Sequence, residues 1–397
     1  MTVTLADAVG VVISDGTGLG TILDPTDTPD PGSGGGGSTP PTEPTDPTEP
    51  TDPTEPPDPQ EPAEGGDDEV SRTHGATRVE TAVNASRDHW PSASTRTNDL
   101  SGRAGGVVLA RADAYPDALA GGALAASIDG PVLLTNGDAL DPMVEEEIIR
   151  LGVEDVIVLG GDAAIGRGVE DRLVELGLDV ERIAGTSRWD TAALVADRVG
   201  LPETGEVVVV LGDHPEPARA WPDALSAGAL AASPDRLPVL LTAGSSVPAP
   251  TMDALEGLGA RRVVLIGGPA VIDSEVEAAL VGTVGEVVRL AGRDRYATSV
   301  AVARDAFARF ADDPDGESID IVFATGADYP DGLAAGAVAA RRGGLVLLVP
   351  PSDLAEDSPA LAFLRSIADR VDSGVVLGGP GAIDESTRAL LEESIAG

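Results

Sequence analysis

The sequence predicts an α/β fold made of three tandem units with mainly parallel sheets. The first observation behind this is a repeat. Its opening marker reads Arg72-Thr-His-Gly-Ala-Thr-Arg78, Arg182-Ile-Ala-Gly-Thr-Ser-Arg188 and Arg289-Leu-Ala-Gly-Arg-Asp-Arg295, with starts 110 and 107 residues apart. A second marker keeps step as Tyr115-Pro-Asp-Ala-Leu119, Trp221-Pro-Asp-Ala-Leu225 and Tyr329-Pro-Asp-Gly-Leu333. A third follows as Leu159-Gly-Gly161, Ile266-Gly-Gly268 and Leu377-Gly-Gly379. That period is too long for one turn of a solenoid and long enough for a small domain with its own core. The second observation is a set of short, continuous apolar runs, as expected of strands covered on both faces. The third is that helical stretches alternate with those runs, the pattern of parallel α/β layers.

The elements follow in order. Residues 1–24 place Val3, Leu5, Val9, Val11 and Ile13 around a Gly-rich turn and read as a β-hairpin, the alternative being a leader without structure. A lone hairpin is marginal in water, so it is expected to complete a sheet that this chain does not contain. Residues 25–69 carry a Gly/Ser run and then Thr-Glu-Pro and Thr-Asp-Pro triplets. Between Asp24 and Glu69 there are 14 acids and no base, so the segment cannot bury a core and is expected to be a stiff, extended stalk. The repeat units are expected at 70–181, 182–288 and 289–397. In the first, strands are expected at 107–110, 132–134 and 156–159, with helices at 118–127, 141–151 and 169–176. The second repeats this with strands at 207–211, 239–241 and 263–266 and a helix at 224–232. The third has strands at 319–324, 345–349 and 375–377 and a helix at 332–341.

Composition excludes several function classes. Cysteine is absent, which rules out disulfides, thiol catalysis and cysteine metal sites. The net charge is −41, and all 26 basic residues are Arg, so phosphate backbones are repelled and nucleic acid is not an expected partner. The same charge argues against anionic membrane surfaces. No run of apolar residues is long enough to insert into a membrane, and the first seven residues do not read as a signal peptide. With a stalk so close behind, truncation explains that start better than a cytoplasmic location. An acidic, lysine-free surface suits high salt, where the screening length falls to about 3 Å at 1 M; a GC-rich genome accounts for it equally well.

The aromatic-Pro-Asp step follows the carboxyl end of a strand, where open α/β sheets bind ligands. Tyr115 with Asp117, Trp221 with Asp223 and Tyr329 with Asp331 therefore read either as sugar-facing pairs or as helix N-caps with the aromatic as a staple, and capping is the favoured expectation. The Gly-Gly steps read as tight strand-to-helix turns rather than phosphate cradles, because the P-loop lysine is missing. His74, His89 and His214 fall at different points of the three units. There is no Gly-x-Ser-x-Gly elbow and no metal-ligand spacing. Glu145 to Glu147 reads as a solvated helix face. No enzyme, cofactor or metal is expected.

These markers, together with Pro-Val-Leu-Leu-Thr, resemble the cell wall binding repeat 2 family from Arg72 to the C-terminus. The resemblance implies three repeats packed about a pseudo-threefold axis, so that a monomer holds an intramolecular trimer. It also implies a non-catalytic module that anchors a secreted, S-layer-like surface protein noncovalently to an anionic wall polymer or polysaccharide. The family's Ile-Leu-Leu motif, implicated in polymer binding, falls on Val132-Leu133-Leu134, Val239-Leu240-Leu241 and Val346-Leu347-Leu348, with Val in place of the first Ile each time. From physics alone these triplets are buried strands. The stretch Asp15 to Asp24 is similar to the last strands of Calx-beta domains of bacterial surface proteins. The repeats hold 51 acids against 26 Arg, so an anionic polymer needs a local cluster of arginines, bridging cations or salt. Arg78, Arg188 and Arg295 are the candidates, since a guanidinium fork suits phosphate or carboxylate; the alternative for them is a structural ion pair. Two other functions stay open: a fragment of an amidase-type wall hydrolase, and a protein-binding adhesin.

Overall fold

The structure, a computed structural model, describes residues 69–93, 102–113, 120–311 and 318–396. The Calx-beta-like stretch at 1–24, all of the expected stalk but Glu69, and Tyr115 and Asp117 lie outside the described residues. The chain opens with β1 (Val70–Thr73), α1 (Arg78–His89), β2 (Val107–Arg111), α2 (Gly121–Ser127), β3 (Val132–Thr135), α3 (Pro142–Leu151), β4 (Asp155–Leu159), α4 (Arg167–Glu175) and β5 (Asp179–Ile183). It continues with α5 (Arg188–Val199), β6 (Glu206–Leu211), α6 (Pro222–Ser226), α7 (Gly228–Ala232), β7 (Val239–Thr242), α8 (Ala249–Leu258), β8 (Arg262–Ile266), α9 (Ser274–Val284) and β9 (Glu286–Leu290). It ends with α10 (Arg295–Ala311), β10 (Ile319–Thr325), α11 (Ala335–Arg342), β11 (Leu345–Val349), α12 (Pro359–Ile367), β12 (Val371–Leu377) and α13 (Glu385–Ile395). Local chemistry sets the ends. In α3, for example, Asp141 accepts the Met143 N–H at 2.9 Å, Pro142 takes the first turn, and Gly152 closes the helix at φ 62°.

Three four-stranded sheets result, in the orders β3-β2-β4-β5, β7-β6-β8-β9 and β1-β12-β10-β11. Every strand pairing is parallel. The fourth strand of each sheet carries the first Arg of an opening marker. β5, with Arg182, and β9, with Arg289, complete the sheets that precede them, so the sequence boundaries at 181/182 and 288/289 run through strands. The third sheet is completed by the start of the chain: β1 pairs with β12 from Val70 opposite Gly374 to Thr73 opposite Leu377. After each marker the chain crosses over, and α1, α5 and α10 pack on β3, β7 and β11 of the next sheet.

A continuous apolar core, mostly Val, Leu, Ile and Ala, runs through all three units from Val70 to Ile395, and a second cluster including Val207, Val209, Leu240 and Leu265 lies in the second unit. At its centre α2, α7 and α11 pack in all three pairings. They touch through glycines: a Cβ on Gly336 would stand 3.2 Å from the Gly228 Cα and 3.7 Å from the Gly122 Cα. A side chain larger than a methyl at Gly336 would have to push its neighbours apart. Arginines tie the rim. Arg341 reaches the His89 carbonyl at 3.1 Å, the Gly102 carbonyl at 2.8 Å and Asp129 at 3.2 Å, and Arg236 donates to the Ala126 carbonyl. Arg309 of α10 pairs with Glu206 at 2.5 Å and Asp235 at 2.7 Å in the second unit.

Two local expectations change. Glu147 is not on a solvated face: it is fully buried between Ser86, Arg87 and Arg150, with the Arg150 guanidinium at 2.7 Å. Helical spacing places it on the same side as Val144, Ile148 and Leu151, and the two arginines neutralise it there. The helix expected at 224–232 is broken into α6 and α7 at Ala227.

Candidate functional site

The three markers that recur far apart in sequence meet at the carboxyl ends of the sheets. Between the second and third units a cavity of about 310 Å³ is lined by Pro222 and Asp223 of the aromatic-Pro-Asp step, by Gly268, Ala270 and Val271 of the Gly-Gly step, and by Gly292 to Arg295 of the following opening marker. Between the third and first units a cavity of about 410 Å³ is lined in the same way by Pro330 and Asp331, by Gly379, Gly381 and Ala382, and by Gly75 to Arg78. Each cleft is thus built by two neighbouring units, and β1 makes the last one possible. Asp117, the matching residue of the first unit, lies outside the described residues.

The opening marker is a strand–turn–helix clamp. Its first Arg holds the Gly-Gly turn of the preceding sheet: Arg72, Arg182 and Arg289 donate to the Gly378, Gly160 and Gly267 carbonyls at 2.7, 2.7 and 2.6 Å. Glu385, Glu170 and Glu277 pair with the same three guanidinium groups. The marker's Gly leaves no room for a Cβ, which at Gly75, Gly185 and Gly292 would stand within 2.4 Å of the next helix. Their N–H groups donate to the buried hydroxyls of Thr81, Thr191 and Thr298 at 3.0 to 3.1 Å. Sequence reasoning passed over the roles of the first Arg and of these Thr residues. A Glu twelve residues before Arg182 and again before Arg289 was the available signal.

The second Arg of the marker opens the helix. Arg78, Arg188 and Arg295 donate to the carbonyls of Ala112, Gly212 and Gly326 at 3.0, 2.8 and 2.6 Å. Arg295 lies over the Trp221 ring of the second unit at 5.4 Å, and Arg78 lies over the Tyr329 ring of the third at 5.7 Å, with the Tyr329 hydroxyl 3.3 Å away. The two rings meet edge to face at 6.2 Å. Among the described residues, only Arg188 of the three also has an acidic partner within ion-pair distance, Asp213 at 3.1 Å. The ion-pair alternative therefore describes one of the three.

Asp223 and Asp331 do not cap helices. α6 begins at Pro222, so its cap position falls on Trp221, and neither aspartate accepts a capping hydrogen bond from the helix it starts. Their carboxyls lie instead against Gly267 and Gly378, whose φ values of 124° and 116° and missing Cβ make space for them. Asp223 is 8 % exposed and has no side-chain hydrogen bond, and burial pushes its carboxyl up to about 6 against the pull of Arg295. Burial likewise raises Asp331, offset by the Thr81 hydroxyl and by Arg78 and His74. Because the folded-state value of Asp223 lies above the unfolded one, its protonation stabilises the fold at low pH, and that contribution fades as pH rises through about 6. Asp223→Asn is therefore expected to gain about 1 kcal/mol over the wild type between pH 5 and pH 8 in thermal or urea unfolding. A constant difference across that range would rule out a strained carboxyl.

The triplets Val132-Leu133-Leu134, Val239-Leu240-Leu241 and Val346-Leu347-Leu348 are strand residues no more than 2 % exposed. Their side chains are core and present no surface to a ligand as the fold stands. Trp221 is 4 % exposed and Tyr329 half-buried, so both act on the clefts through the arginines that cover them. The histidines stand apart: His74 beside Gly379, His89 in the packing next to Trp90, and His214 bonded to the Glu216 backbone. Among the described residues no helix is long and apolar enough to cross a membrane.

The fold is shared with solved structures. Cwp6 from Clostridium difficile superposes with a TM-score of 0.69 at 23% identity, covering 83% of this chain and 48% of its own. Cwp8 from the same organism gives 0.67 at 24%, covering 82% and 52%. The N-acetylmuramoyl-L-alanine amidase LytC of Bacillus subtilis (strain 168) is 24% identical over 207 residues, 52% of this chain and 38% of that enzyme. The chain thus spans about half or less of the length of these relatives. The model of cell wall binding domain 2 matches residues 72–170, 182–277 and 289–388, most of the chain and one match for each occurrence of the three markers. The chain belongs to the cell wall binding domain 2 family and carries three copies of that domain.

Proposed function

We propose that residues 70–397 are the noncovalent wall anchor of a secreted surface protein, and that they grip an anionic wall polymer or polysaccharide in the clefts between neighbouring units without altering it covalently. The observation that carries this reading is the meeting of all three recurring markers in those clefts, where a backbone turn, a helix start, an arginine and a buried or half-buried aspartate face one space. A rigid body with several weak sites along one polymer gains avidity through effective concentration rather than through one strong contact. The resemblance of residues 1–24 to the end of a Calx-beta domain, and the proline-rich acidic segment after it, fit a protein displayed at the cell surface.

The test is cosedimentation of the purified chain with isolated Gram-positive cell walls, before and after extraction of their secondary polymers, with a zymogram on the same walls. Binding that extraction removes, and no cleared band, is the expected result. A chain that stays in the supernatant overturns the anchor. A cleared band would favour the second reading, suggested by the amidase relative, of a hydrolase fragment.

A further inference from the structure

The clefts are built alike, but their charge differs. In the cleft of the third and first units one arginine, Arg78, faces two carboxyls, Asp328 and Asp331. In the cleft of the second and third units three arginines, Arg219, Arg293 and Arg295, face Asp223 and Asp294. The two extra arginines are no part of the repeat. The positions matching Arg293 hold Ala76 and Thr186, and those matching Arg219 hold Asp113 and Ala327. Nor do they hold the fold. Their side chains are 78% and 48% exposed, and their partners are the adjacent Asp294 and the nearby Glu216, both pairs being of the exposed kind that contributes little. In a chain of net charge −41, this is a local concentration of cations with no structural task. Beside them Asp223 is nine-tenths buried, lines the cavity and has no hydrogen-bond partner of its own. A carboxylate that lines the cavity without a protein donor is free to accept a hydrogen bond from a ligand there.

We propose that the cleft between the second and third units is the principal subsite of the anchor, and that it takes a hydroxylated residue carrying an anionic oxygen group, with Arg219, Arg293 and Arg295 on the anion and Asp223 accepting from a hydroxyl. This rests on the wall-anchor reading and refines it: the two described clefts are unequal, and this one dominates. Phosphate and carboxylate are the same chemistry to a guanidinium fork. A neighbouring hydroxyl is what separates either from a bare counter-ion.

The experiment is cosedimentation of the full chain with isolated Gram-positive walls at low and high salt. The wild type is compared with Arg219→Ala/Arg293→Ala, with Asp223→Ala, and with Arg172→Ala/Arg198→Ala, which removes equal charge outside the clefts. The Arg219/Arg293 pair is expected to lose about tenfold or more in apparent affinity and much of the salt dependence, while the control pair stays within about twofold. Asp223→Ala is expected to bind several-fold more weakly at an unchanged or higher Tm. That combination is one a structural aspartate would not give. Walls stripped of phosphodiester-linked polymers with hydrofluoric acid, and walls whose carboxylates are capped by carbodiimide amidation, distinguish the two anions. If the wild type binds and the Arg219/Arg293 variant binds as well, the principal-subsite inference falls while the anchor stands. If Asp223→Ala binds like the wild type, the hydroxyl assignment falls. If the wild type itself ignores walls, both readings fall together.

Discussion

Gly336→Leu is expected to lower Tm by on the order of 10 °C, and Gly336→Ala by much less. Gly336 meets Gly228 and Gly122 where α2, α7 and α11 converge, and its missing Cβ is what lets the helices approach. A methyl 3.2 Å from a neighbouring Cα needs that helix to yield by a few tenths of an ångström. A leucine has no direction that avoids both partners, so it must separate the units. Overpacking costs about 1–3 kcal/mol in an ordinary core and more where backbones form the wall. Each kcal/mol is worth roughly 2–4 °C in a body of this size class. Calorimetry on the two variants decides the matter: a leucine variant that melts within 2 °C of the wild type would mean that the axis is not a tight contact.

Removing the first strand should be more damaging still. A chain that begins at Glu69 is expected to melt like the full one, whereas a chain that begins at His74 is expected to lose about 5 kcal/mol or more and to self-associate. The shorter chain gives up the fully buried Val70, four residues of pairing with β12, and the Arg72 bonds to the Gly378 and Ile383 carbonyls at 2.7 and 2.8 Å. It also bares an apolar strand edge, which invites a second copy to fill it. Thermal unfolding and sedimentation velocity on the two chains test this directly. Equal Tm values would show that β1 is an ornament on the third sheet.

The strands buried on both faces were legible because they are continuous apolar runs: Val107–Arg111, Glu206–Leu211 and Ile319–Thr325 sit where those runs predict them. β5 and β9 were not. Asp-Val-Glu-Arg-Ile and Glu-Val-Val-Arg-Leu are edge strands, exposed or half-exposed at nearly every position, so their charged residues erase the signal that marks a strand. The markers announced themselves by recurring, but counting repeats assigns each opening marker to its own unit, while the fold delivers it to the cleft of the unit before. The capping expectation for Asp223 failed on one residue, because Pro222 is suited to the first helical position and so moves the cap to Trp221. Arg219 and Arg293 stayed hidden for the opposite reason: they do not recur, and a search for repetition discards them.

The direction of β1 fixes how this body bears load. β1 enters at Val70, level with Gly374 at the middle of β12, and runs parallel to it toward the carboxyl end, where Asp331, Gly379 and Arg78 form their cleft. On the proposed anchor reading, a polymer held in that cleft and a pull applied at Glu69 draw on opposite ends of the same sheet. Tension then runs along the strand while the β1–β12 hydrogen bonds lie across it, so they are strained together in shear instead of being unzipped one at a time. The Arg72 fork on Gly378 and Ile383 grips the far end of the same strand. A pull applied at Glu69 is thus met by the stiffest loading geometry that a four-residue strand has to give.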